Sequence, residues 1–136
     1  MNAKVDEPLA DRLRRWWFGS VHEIADLDLQ RRTWLDIKNE NPHWSLVEFV
    51  ASYPDDDQLQ HALAQNCLTS DEFDILSNFR RILVEYSPPG GKYYDHAAVL
   101  DDPAWHSVVA AAEHARQQLL SMTSNKQEQA MLLGDV

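Results

Sequence analysis

Apolar residues recur along this chain at intervals of three and four, the spacing that gathers them on one face of an α-helix, and strand-like alternation is nearly absent. Pro8 to Phe18 forms the first predicted helix, with Pro8 suited to its first turn and Leu9, Leu13, Trp16 and Trp17 on one side. Gly19 offers a stop, and Ser20-Val21-His22-Glu23 follows with capping-box spacing. That box opens either one helix to Lys38 or a short turn followed by a helix from about Asp28, and Asn41-Pro42 ends it in both cases. Ser45 can cap a short segment whose Leu46, Phe49, Val50 and Tyr53 face inward. Beyond Pro54, the carboxylates of Asp55, Asp56 and Asp57 suit a helix start, where free amides and the dipole present positive potential. The short helix they open holds Leu59, Ala62 and Leu63.

Thr69-Ser70-Asp71-Glu72 is a second capping box, followed by a stripe of Phe73, Leu76, Phe79 and Leu83 that Ile75, Ile82 and Tyr86 widen. A stripe of that width suits the central element of a bundle. Ser87-Pro88-Pro89-Gly90-Gly91 breaks any helix, and its Pro-Gly pair fits the centre of a type II turn. The stretch from there to Asp101, with Tyr93, Tyr94, Asp95 and His96, has no convincing period. Asp102-Pro103 reopens a helix as cap and first residue, with Trp105, Val108, Val109, Ala112, Ala115 and Leu119 on its apolar face. The predicted fold is all-α, a single-domain bundle of roughly five to seven helices. It spans residues 1–122, and 123–136 form a polar, frayed tail from which Met131, Leu132 and Leu133 can dock.

Composition narrows the setting. In 136 residues, 44% are apolar and five are Trp, enough for a genuine core. The solitary Cys67 allows no intrachain disulfide. Early acids and the lack of an apolar run near Met1 do not fit a secretory signal, and no stretch is apolar enough to span a bilayer. Together these lead us to expect a cytoplasmic protein. A net charge of −10 opposes general binding to nucleic acid or to an anionic membrane.

The charge is unevenly placed. Residues 39–79 contain no Lys or Arg and eight carboxylates, whereas residues 1–38 balance seven bases against seven acids. A one-sign segment of this length points to a cationic partner, which it would steer during encounter. The candidate contact residues are Glu48, Tyr53, Asp55, Asp56, Asp57, Asp71, Glu72 and Asp74, with Tyr53, Trp44 and the loop tyrosines as aromatic anchors. Arg12, Arg14, Arg15, Arg31, Arg32 and Lys38 interleave with acids, as do Arg80 and Arg81, which suits surface ion pairs better than a nucleic-acid patch.

Other chemistry finds little support. Read as a calcium loop, Asp55 to Asn66 lacks the Gly at position six and the Glu at position twelve. His106 and His114 lie two turns apart, outside the spacing of a zinc pair, and Asp95-His96 with Asp101 and Asp102 has no fixed ligand spacing. Gly90-Gly91-Lys92 lacks the strand and pattern of a phosphate loop, and Cys67 suits a small buried hydrophobe. We therefore expect no metal, no cofactor and no catalytic residue.

The phrase Val99-Leu100-Asp101-Asp102-Pro103-Ala104-Trp105-His106-Ser107-Val108-Val109, continuing into Ala111-Ala112-Glu113-His114-Ala115, resembles the closing helix of small bacterial immunity proteins. Those proteins counter contact-dependent inhibition and related polymorphic toxins. The resemblance implies tight binding to a cognate, often basic, toxin domain whose active site or substrate channel is occluded. Two alternatives stand beside it. One is a small-ligand or metal-binding enzyme centred on residues 88–102; the other is a homo-oligomeric regulatory subunit using Trp16-Trp17 and Met131–Leu133.

Overall fold

The computed structural model describes residues 3–135, with side chains from Leu9 onward. Seven of the helices within that range begin with a side chain that accepts from a first-turn amide. Asp26 opens α2 (Leu27–Trp34), Ser45 opens α3 (Leu46–Ser52) and Asp55 opens α4 (Asp56–Ala64). Thr69 opens α5 (Ser70–Glu85), Asp95 opens α6 (His96–Leu100), Asp102 opens α7 (Pro103–Leu120) and Asn125 opens α8 (Lys126–Leu133). Each cap satisfies amides that the helix leaves free, an effect of about 1 kcal/mol apiece. The capping boxes of Asp55 with Gln58 and Thr69 with Glu72 are both fully formed. The Pro-Gly turn also forms: Gly91 donates to the Pro88 carbonyl at 3.0 Å, with Gly90 at φ 63° in the position that needs a left-handed residue.

The first helix departs from expectation. α1 (Ala3–Ala25) runs through Gly19 without a break, and Ser20 is a buried helical residue, not a cap. A Cβ on Gly19 would lie 2.7 Å from Met131 Cε, the end of a flexible side chain that must shift to admit it. The chain turns later, at Asp26, where Gln30 takes over the α1 end by donating from Nε2 to the Glu23 and Ile24 carbonyls at 3.0 Å each. Its Oε1 accepts from the Trp105 indole at 2.9 Å, so this fully buried amide is satisfied on both sides.

α1 packs chiefly on α7 and α8, α5 packs on α7, and α4 folds back on α5. The core between them holds Phe18, Val21, Ile24, Phe49, Leu76, Leu83, Trp105, Ala112 and Leu119. The all-α expectation holds, and the six apolar-face positions predicted for the Trp105 helix are all buried. The frayed tail is corrected: residues 126–133 are helical, Leu132 is fully buried and Glu128 is 5% exposed. Asn125 and Thr123 explain it, because the polar run that suggested fraying holds the cap of α8 and a ligand for Glu128.

Candidate functional site

Arg14 shows first how the charge is arranged. It leaves α1 beneath α5 and α8 and grips two carboxylates with paired bonds, Glu72 at 2.7 and 2.8 Å and Glu128 at 2.7 and 2.9 Å. A further N–H reaches the Cys67 carbonyl at 2.8 Å, and the guanidinium stands 5.1 Å from the Phe18 ring centroid. Burial alone would raise both carboxyls. The Arg14 bonds, joined by Thr69 at Glu72 and Thr123 at Glu128, outweigh it and hold both pKa values below the ordinary carboxylate value. The bonds to the two acids likewise raise the Arg14 pKa, so it is fixed as a cation.

Two predicted contact residues are therefore corrected. Glu72 is 4% exposed and belongs to this internal cluster, because its capping role turns the carboxylate back toward α1. Tyr53 is 5% exposed and donates its hydroxyl to the Leu76 carbonyl at 2.8 Å, which makes it a core residue between α3 and α5. Burial pushes its phenol up, keeping it protonated as that bond requires.

The remaining six candidates are exposed, in three places. Glu48 lies on α3. Asp55, Asp56 and Asp57 lie at the start of α4, with Asp56 facing Arg80 at 3.4 Å. Asp71 and Asp74 lie in the first turn and a half of α5, roughly 9–14 Å from Arg80 along the helix axis. Compensation absent from residues 39–79 in sequence is thus supplied from outside: Arg14 meets Glu72 and Arg80 meets Asp56. Among the described residues, Asp57, Asp71 and Asp74 have no ion-pair partner.

Asp71 and Asp74 also border a groove of about 330 Å³ between α5 and α7. Ile75, Phe79, Ala111 and Ala115 line it, His114 and Gln118 stand on the α7 side, and Ile82 and Met122, each 44% exposed, flank it. Two carboxylates beside an apolar trough can hold a partner side chain that is part aliphatic and part cationic. The groove was not predicted, although Ile82 on the margin of the α5 stripe marks where that helix is wider in apolar residues than its core contact.

The loop candidates scatter. Asp95 and Asp102 cap helices, Tyr86 donates to Asp102 at 2.8 Å, and His106 contacts the Leu100 carbonyl at 2.6 Å. Among the described residues no three His, Cys, Asp or Glu side chains gather as metal ligands, and no helix is long and apolar enough to cross a membrane. Trp16 is 58% exposed but Trp17 is buried, and Leu132 is buried beneath α1, so the two proposed oligomer surfaces are partly internal. Compared with protein-family models, curated proteins and solved structures, the chain matches none.

Proposed function

We propose that this protein is a binding module of the immunity type, which neutralises a basic toxin domain by seating it along the α5–α7 groove. The observation that carries the reading is the pairing of Asp71 and Asp74, exposed and without ion partners among the described residues, with an apolar trough. Long-range attraction from the carboxylates speeds encounter, and apolar burial in the trough then slows dissociation. The charge balance of −10 and the resemblance of residues 99–115 to immunity proteins point the same way.

The test is protection in cells. Where a basic toxin domain is encoded beside this gene, it is induced with and without this chain, and growth is followed. Protection by the natural chain, weakened by Asp71→Asn with Asp74→Asn at equal protein level, is the expected result. Growth arrest unaffected by the chain, or protection indifferent to both substitutions, contradicts the reading.

A further inference from the structure

A second concavity, about 350 Å³, opens between α2, α3 and the segment leading into α6, away from the α5–α7 groove. Its walls include Trp34, Trp44, Tyr94 and His96, with Asp36 and Glu48 among the lining residues. The rings form a connected arc. Tyr94 meets His96 at 6.1 Å between centroids, His96 meets Trp34 at 5.2 Å, Trp34 meets Phe49 at 5.1 Å, and Phe49 meets Trp44 at 6.1 Å. Among the described residues no cation pairs with Asp36 or Glu48.

Two polar atoms of the arc lack partners. His96 Nδ1 lies 3.3 Å from the Trp34 carbonyl, which can only accept, so Nδ1 carries a hydrogen. Nε2 of the same ring is buried and unpartnered among the described residues. The same is true of the Trp34 indole N–H, on a side chain only 6% exposed. Buried polar atoms of this kind are ordinarily satisfied.

We propose that this pocket binds a guanidinium group. Aromatic faces attract a cation through their quadrupole, and two carboxylates on the same pocket reinforce that preference. A guanidinium, unlike a quaternary ammonium, also brings N–H donors for the Asp36 and Glu48 carboxylates. The site is separate from the groove, and its test needs no toxin, so either proposal can fail without the other.

The probe is N-acetyl-arginine amide, titrated while the tryptophan indole resonances are followed by NMR. The expected result is a saturable shift of the Trp34 and Trp44 signals, weakened about tenfold by Glu48→Gln or Tyr94→Ala. Both substituted residues are exposed, and retained helical circular dichroism checks the fold. Agmatine carries the guanidinium without peptide carbonyls. Tighter binding of agmatine keeps the site and assigns it to free guanidino compounds; tighter binding of the blocked arginine assigns it to a peptide. No saturable shift with either compound, unchanged affinity in both variants, or equal binding of tetramethylammonium overturns the proposal.

Discussion

Arg14 sits between two other arginines in near neighbourhood, and nothing in its residue type separates it from Arg12 and Arg15. Position does. The buried face of α1 is Trp17, Phe18, Val21 and Ile24, and stepping back four residues from Phe18 lands on Arg14. Breaking a buried pair from one side leaves charge uncompensated, so Arg14→Met is expected to destabilise the fold by about 3–5 kcal/mol at pH 7. The pH dependence has a definite sign. Glu72 and Glu128 have folded pKa values below the unfolded carboxylate value, so their contribution is complete above about 4.3 and is lost as pH falls through the lowered folded values. In Arg14→Met, burial without the cation raises both carboxyls, and protonation then relieves the fold as pH falls. Chemical denaturation at pH 7 and pH 4 should therefore show the gap between the two proteins narrowing on acidification. A gap that stays constant would mean that the triad does not carry the effect.

At the scale of helices, what could be read from the sequence was what neighbouring residues decide among themselves. Ser45, Asp55, Thr69 and Asp102 cap as expected because hydroxyl or carboxylate and amide are within three residues of each other. Gly19 and α8 were not legible, since their partners lie more than 100 positions apart. Gly19 permits Met131 to approach, and Glu128 is held by Arg14, so a polar run becomes a docked helix only once α1 is in place. The contact invites a double-mutant cycle. Gly19→Ala gains helix propensity, worth about 1 kcal/mol in a helix interior, but sets its methyl against Met131. Alone it should fail to stabilise; in a Met131→Ala background it should stabilise by about 0.5–1 kcal/mol. Additive thermal shifts would show that the two side chains do not compete for space.

For the molecule as a whole, the basic-free segment means less as a block and more at particular places. Folding withdraws Glu72 into the core, turns Tyr53 inward and gives Asp56 an arginine from α5. Those pairings join residues distant in sequence, which no local charge count can register. What survives at the α5–α7 groove is two carboxylates without ion partners among the described residues, Asp71 and Asp74, next to apolar surface that includes Ile82 and Met122. Exposed charges act mainly on encounter, so substituting them should alter association while leaving stability within about 0.5 kcal/mol. The most direct measurement is the association rate with the proposed basic toxin domain across an ionic-strength series, for the natural chain and for Asp71→Asn with Asp74→Asn. The double substitution should lower the association rate about three- to tenfold at low salt, with a flatter salt dependence and a nearly unchanged melting temperature. Identical rates and identical salt slopes for the two proteins would contradict that expectation.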